Sequence, residues 1–499
     1  MTSASPADGP SVAIVTLGCG RNEVDSDQLA GLFGIEGIEV RDDPAQADVV
    51  IVNTCTFIEP AKQESIDTIL AACDLKGDTA AGVLVVGCMA QRYPDELATS
   101  LPEADAIVGF DAYPRLPVLV RDVAAGRPVD RVHVARAAPE PTAPRTLPLA
   151  GISATTDRRV LDLVVEERAP APVVTAGQDQ LDRVPASGPT FPTRAFAGGS
   201  WAYLKIASGC DRACTFCAIP SFRGRFRSRP LDEIIREAGW LADQGARELV
   251  LVSENTTSWG KDLGGRDQQP DLLARLSEVE GIERLRLMYL QPAEITWPLL
   301  EAMAALPKVA SYFDLSLQHA APDVLRRMRR GGSPDHFLRL IGEIRALDPD
   351  AVFRSNFICG FPGETEADVD LLADFLEEAR LDWVGLFTFS VEDGTDSATM
   401  PDQVDPGEAL GRLRALTSLQ EAIADESARQ FVGRTLDVLV DETSAEGCLG
   451  RTYREAPDTD GEVRLVAADG SPADLPVGRM LPATVIAADG VDLVAAVAS

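Results

Sequence analysis

Ala202-Tyr203-Leu204-Lys205-Ile206-Ala207-Ser208-Gly209-Cys210-Asp211-Arg212-Ala213-Cys214-Thr215-Phe216-Cys217 carries the reading of this chain. Ala202–Ala207 reads as a short strand. Three cysteines leave its end directly, Cys210, Cys214 and Cys217, spaced Cys-x3-Cys-x2-Cys. Thiolates are the ordinary protein ligands of iron–sulfur clusters. Three close thiolates can hold three irons of a 4Fe-4S cluster and leave the fourth open to a small molecule. The other readings of the same spacing are a zinc site or three buried thiols. Zinc in a structural site asks for four protein ligands, and no fourth Cys or His lies nearby in sequence. Phe216 reads as a packing side chain or a shield beside the cluster.

Outward from this loop, residues 198–428 alternate strand and helix. The candidate strands are Ala202–Ala207, Glu248–Val252, Arg284–Tyr289, Tyr312–Leu317, Val352–Ile358 and Trp383–Phe389. Helical stretches such as Leu231–Asp243 and Asp368–Ala379 separate them. Six such units suit a partial (β/α)6 barrel, whose chemistry belongs at the C-terminal ends of the strands. Glu254, Gln318 and Arg354 are read at or near such ends.

Residues 11–126 show the same alternation. Apolar runs at Val12–Leu17, Ala47–Val52 and Val83–Val86 are each followed by a loop and a helical stretch, the pattern of a doubly wound parallel sheet. A cysteine follows each run: Cys19, Cys55 and Cys88. The C-terminal strand ends of a parallel sheet lie along one edge, where ligand crevices form. Three cysteines far apart in sequence can therefore converge there. Three unrelated core thiols are the plainer alternative, since free cysteine is often buried. The remaining three of the nine cysteines, Cys73, Cys359 and Cys448, lack such a setting and read as packing residues.

Residues 127–197 hold 10 of the 34 prolines and read as a Pro/Ala-rich linker, with Val160–Val165 as a short ordered patch. Residues 429–499 lose the helical period. Short runs at Thr435–Val440, Val463–Val466 and Met480–Ala487 suggest a small β-barrel.

The whole chain has 499 residues, with 46 basic and 78 acidic side chains and a net charge of −32. Such a balance repels phosphate backbones and lowers the expectation of direct nucleic-acid binding. The start lacks a cationic, apolar secretory signal, and no run of about 18 apolar residues suggests a membrane span. A cytoplasmic protein is expected, in which spaced cysteines mean metal or catalysis more often than disulfides.

The Cys210/Cys214/Cys217 loop after the first barrel strand resembles the radical S-adenosylmethionine (SAM) superfamily. With both triads, the chain resembles the methylthiotransferase family over nearly its whole length, the linker excepted. The matching segments are Leu17-Gly18-Cys19 with Asn22, Asp25 and Ser26; Asn53-Thr54-Cys55; Gly87-Cys88; and Ala218-Ile219-Pro220 with Arg223-Gly224-Arg225 and Arg227-Ser228-Arg229-Pro230. Ser316-Leu317-Gln318-His319 and Gly360-Phe361-Pro362-Gly363-Glu364-Thr365 match later strand ends, and the C-terminal β domain resembles a TRAM domain. The resemblance implies two 4Fe-4S clusters, one per triad, with SAM on the open iron of the barrel cluster. It implies Phe216, Glu254, Gln318 and Arg354 as candidates to hold SAM, and a flavodoxin or ferredoxin as reductant. The implied chemistry is SAM-dependent methyl transfer and radical C–H activation with sulfur insertion. One departure stands out: Ser253-Glu254-Asn255-Thr256 occupies the place of an expected Ser-Gln-Asp-Thr.

Within the family, Gly450-Arg451-Thr452-Tyr453-Arg454-Glu455-Ala456-Pro457-Asp458-Thr459-Asp460-Gly461 resembles the branch that modifies an aspartate of small-subunit ribosomal protein S-twelve. The alternative is the MiaB-like branch, which modifies an adenosine in transfer RNA. From Phe431 onward five arginines face twelve acids. An RNA-gripping barrel should carry a basic groove, so the balance suits a basic protein substrate.

Overall fold

A computed structural model of the chain describes residues 9–77, 79–134, 194–265 and 267–497. Most of the expected linker, with its patch at Val160–Val165, lies outside the described residues. The first unit is a six-stranded parallel sheet in the order β2-β1-β3-β4-β5-β6. Its strands are β1 (Ser11–Thr16), β2 (Glu39–Arg41), β3 (Val49–Thr54), β4 (Gly82–Val86), β5 (Ala106–Val108) and β6 (Val132–His133). Every residue of β3 and β4 is buried, as a central parallel strand with both faces covered requires. The order reverses between β1 and β3, which makes the crevice beyond their C-terminal ends a topological switch point. The three expected strands form the middle of this sheet. The edge strands β2 and β6 and the inner strand β5 are two or three residues long, too short to leave a period in the sequence.

The second unit is built from β7 (Trp201–Lys205), β10 (Glu248–Val252), β11 (Arg284–Leu287), β12 (Tyr312–Gln318), β13 (Val352–Cys359) and β14 (Trp383–Thr388), with a small ribbon β8 (Ala207–Ser208) and β9 (Arg227–Ser228) beside them. β11-β10-β7 and β12-β13-β14 are two parallel three-stranded sheets. Parallel bridges from Leu290 to Leu315 and from Leu285 to Val309, just before β12, join them into one curved wall of six strands. Leucines and phenylalanines of the strands and surrounding helices form its outer core, Leu204, Leu251, Phe313, Phe353 and Phe375 among them.

The third unit is a closed barrel in the order β15-β16-β17-β19-β18. Its strands are β15 (Thr435–Ser444), β16 (Gly447–Arg451), β17 (Val463–Val466), β18 (Met480–Asp489) and β19 (Asp492–Val497). The segment after β16 turns inward against the N-terminal ends of the six-stranded wall. Arg286 Nη1 donates to the carbonyl of Tyr453 at 2.7 Å, and Tyr312 Oη donates to Asp460 at 2.6 Å. Arg451, Thr452, Arg454 and Glu455 are all buried there. The third unit therefore closes the floor of the second, and the open mouth faces the first.

Candidate functional site

The three N-terminal cysteines meet at the switch point. Cys19 sits at the N-terminus of α1 (Gly20–Ile35), Cys55 follows β3 ahead of α2 (Glu59–Asp74), and Cys88 is the second residue of α3 (Gly87–Arg92). Gly18 and Gly87 make the convergence possible. Both have positive φ, +95° and +91°, a region that glycine enters without steric cost. A Cβ at Gly18 would lie 2.8 Å from the Cys55 sulfur, and one at Gly87 would lie 2.4 Å from Asn53 Oδ1. Asn22 ties the strand ends together, donating to the carbonyls of Leu17 at 2.9 Å and Thr54 at 3.0 Å. Burial pushes the Cys55 thiol up to about 12 and raises Cys88. At Cys19 burial acts the same way, but the Arg21 and Arg223 guanidiniums outweigh it and hold the thiol below its usual range.

The second triad lies at the mouth of the six-stranded wall, in the loop after β7. Cys210 N–H donates to Gly224 O at 3.1 Å and Cys217 N–H to Cys214 O at 3.2 Å, which folds the loop on itself. Arg330 Nη1 lies 3.7 Å from the Cys214 sulfur, and Nη2 of the same side chain donates to the carbonyl of Ser316. Burial pushes Cys210 up to about 11 and Cys217 up to about 12. All nine cysteines are free. Among the described residues, no group of three or more His, Cys, Asp or Glu side chains is drawn together as the ligands of one metal ion. A cubane cluster asks for something else, because each iron takes its own thiolate. Two sets of three free thiols, with no fourth protein ligand, have the donor chemistry such a group requires.

The helix Ile219–Arg223 starts just after Cys217 and packs on α3. Five helical residues rise only about 7 Å, so the two triads are near neighbours. A cavity of about 180 Å³ opens between the first and second units. Thr56 and Phe57 line one side, and Phe216, Cys217, Gln318 and Asn356 the other. Phe216 meets Phe361 edge-on at 6.5 Å. Gln318 ends β12 at φ +73°, beside a break in strand register, so its side chain is aimed by a backbone that most residues avoid.

Glu254 lies elsewhere, between the triads. Its side chain is 1% exposed, 3.8 Å from Arg21 and 3.9 Å from Arg223. Neither carboxylate oxygen has a hydrogen-bond partner. Arg354 does not reach the cavity. It is the third residue of the eight-residue β13 and points into the floor, pairing with Asp314 and Asp460 at 3.4 Å each. Its expected place at a strand end is thus corrected: two buried carboxylates, one from the third unit, hold it there. Cys359 and Cys448 are buried in apolar cores, and Cys73 is partly buried against another.

Several site residues carry no signal of their own in the sequence. Arg92 follows Cys88 by four residues and pairs with Glu392 at 2.7 Å across the two units. Lys62 reaches the same carboxylate at 2.9 Å. Arg223 belongs to a recognised motif, but its contacts with the first unit come only from tertiary structure.

A six-stranded parallel wall with a Cys-x3-Cys-x2-Cys loop at the mouth of its first strand defines a radical SAM enzyme. The comparisons agree. Residues 204–376 match the radical SAM superfamily, residues 432–498 the TRAM domain, and residues 11–109 an uncharacterized protein family, UPF0004. The ribosomal protein uS12 methylthiotransferase RimO of Kineococcus radiotolerans is 48% identical over 97% of this chain and 96% of its own length. The RimO proteins of Streptomyces coelicolor and Salinispora tropica are 46% and 47% identical over 97% and 99% of this chain, and 96% of their own lengths. The chain belongs to the RimO family of radical SAM methylthiotransferases. Its fold is also that of the radical SAM methyltransferase TsrM from Kitasatospora setae, at a TM-score of 0.51 and 15% identity, over 84% of this chain and 90% of that one. Family membership implies SAM and a 4Fe-4S cluster. Among the described residues no helix is long and apolar enough to cross a membrane.

Proposed function

We propose that this enzyme methylthiolates the β-carbon of an aspartate in small-subunit ribosomal protein uS12 (S-twelve). It does so with SAM and two 4Fe-4S clusters, one on Cys210, Cys214 and Cys217 and one on Cys19, Cys55 and Cys88. The observation that carries this reading is the shared cavity, where Cys217 faces the residues that follow Cys55. When bound, these groups supply methyl and sulfur transfer and the one-electron cleavage of SAM, whose radical can break an unactivated C–H bond.

The chain's own residues place and seclude the reaction. Phe216 and Gln318 line the cavity on the barrel side and are the candidates to seat SAM. Glu254 presents two carboxylate oxygens without hydrogen-bond partners beside the barrel triad, one of them ion-paired with Arg21 and Arg223 at 3.8 and 3.9 Å, and is a candidate to hold a cationic group. Lys62, Arg92 and Glu392 clamp the two units across the cavity, which keeps the triads in one enclosed space.

The third unit favours a protein substrate over transfer RNA. Of its five arginines, Arg434 pairs with Asp350, Arg451 with Asp441 and Glu248, and Arg454 with Glu455. Exposed Arg464 and Arg479 then face exposed Asp437, Glu442, Glu446, Asp458, Glu462, Asp469, Asp474 and Asp489. Such a surface attracts a basic ribosomal protein and repels a phosphate backbone. A flavodoxin or ferredoxin would supply the electron, in the cytoplasm.

The test is mass spectrometry of uS12 and of transfer RNA from a strain lacking this gene. The methylthio mass should vanish from uS12 and return with the intact gene. Its loss from transfer RNA alone would overturn the reading.

A further inference from the structure

Arg223 stands where the two halves of the site meet. Its side chain is 3% exposed. Nη2 donates to Asn22 Oδ1 at 2.7 Å and lies 3.1 Å from the Cys88 sulfur, while Nη1 lies 3.2 Å from Asp25 Oδ2. Nε faces Glu254 at 3.9 Å, and the guanidinium plane lies over the Phe110 ring at 4.8 Å. A guanidinium held on every edge cannot turn away from the sulfur. It reaches across from the barrel unit, at the end of the helix that begins beside Cys217.

The partners explain why this arginine points at a thiol. Asp25 is already satisfied by Lys205, so Arg223 is not needed to neutralise it. The Cys88 thiol lies 3.7 Å from Asn22 Oδ1 as a donor. Once it ligates iron it becomes a thiolate and can only accept, and Arg223 is the buried donor in place for that. Hydrogen bonds and positive charge at a ligand sulfur favour the more negative, reduced state of a cluster.

We propose that Arg223 is a positioning residue of the N-terminal cluster: it donates to the Cys88 sulfur from the barrel unit and raises that cluster's reduction potential. The proposal rests on the reading that Cys19, Cys55 and Cys88 hold a cluster. The barrel unit thereby sets the electronic state of the sulfur-bearing half.

The test uses the full chain carrying C210A, C214A and C217A, reconstituted so that only the N-terminal cluster forms. Its potential is titrated by electron paramagnetic resonance, with Arg223 intact and with R223Q or R223K added. R223Q should shift the midpoint to a more negative value, and R223K, which keeps the charge, should recover part of the shift. A chain with C19A, C55A and C88A plus R223Q should keep the barrel cluster's potential unchanged. An unmoved midpoint in R223Q with iron bound, or an equal shift in both clusters, would overturn the proposal. No iron at all in the C210A/C214A/C217A chain with Arg223 intact would instead overturn the cluster reading beneath it.

Discussion

Trp383, the first residue of the last barrel strand, donates its indole N–H to the backbone carbonyl of Arg454 at 2.7 Å, and the Arg454 guanidinium lies 4.3 Å from the centre of its ring. A buried side chain of the catalytic unit thus holds a buried loop of the C-terminal barrel by a hydrogen bond and a cation–π contact at once. Replacing a buried Trp by Ala costs about 3–5 kcal/mol. Trp383→Ala should therefore speed amide hydrogen exchange across residues 451–460 by about a hundredfold or more. An exchange rate within threefold of the parent would mean that the loop is held by its backbone alone.

Glu248 is the second anchor of the floor. It is fully buried and receives Arg286 at 2.7 Å and Arg451 at 2.8 Å, with Arg284 at 3.5 Å. Burial alone would raise its carboxyl, but the three guanidiniums overcome this and hold it down to about 2. A carboxylate depressed in the folded state stabilises above its unfolded value and loses that contribution as pH falls through the folded one. The contribution should be about 3 kcal/mol at neutral pH. In urea unfolding Glu248→Gln should lower stability by about that amount at pH 7, and the gap should narrow below about 4.5. A gap constant with pH would remove the ion cluster as its source.

Gly18→Ala tests the N-terminal triad without touching a thiol. The new Cβ would meet Cys55 Cβ and Sγ at 2.8 Å, at a φ of +95°. A side chain at such a φ costs on the order of 1–2 kcal/mol, which the sheet can absorb, but Cys55 must move. Reconstituted iron should fall from about eight to about four per chain, as with Cys55→Ala. Full iron content in Gly18→Ala would show that Cys55 has room to spare.

Gln318 and Arg354 should separate under substitution. Gln318 lines the cavity, whereas Arg354 is bound to Asp314 and Asp460 in the floor. Gln318→Ala should weaken SAM binding about tenfold with iron content intact, the loss of one good hydrogen bond. Arg354→Ala should leave SAM affinity within about twofold but destabilise the chain by about 3 kcal/mol, since two buried carboxylates lose their partner. Equilibrium dialysis and urea unfolding read the two effects. The opposite pattern would return Arg354 to the cofactor.

The barrel triad was legible because its three cysteines share one loop, and spacing along eight residues limits where thiols can go. The N-terminal triad was legible only through the repeat of strand, glycine or polar turn, and cysteine. A parallel sheet turns that repeat into proximity. Arg354 was misplaced because a residue number cannot say which end of an eight-residue strand a side chain serves. The C-terminal charge count was also incomplete. Asp441, Glu455 and Asp460 look like surface acids in the sequence but are bound to Arg451, Arg454 and Arg354. The same burial removes Arg451 and Arg454 from the surface, so the exposed face stays acidic and has only Arg464 and Arg479 as exposed arginines.

By itself the sequence determined the three-unit order, the alternation that makes two parallel sheets, and six cysteines at strand ends. Those features are set by neighbours in the chain, through periodicity and spacing. Only the tertiary structure decided that Arg223 faces Cys88 across 135 positions, that Glu254 lies between two arginines, and that residues 451–460 form a floor rather than a free surface. Each of these is a buried charge or polar group. Its partner is chosen by what the closing surfaces leave unsatisfied, not by anything adjacent in the chain.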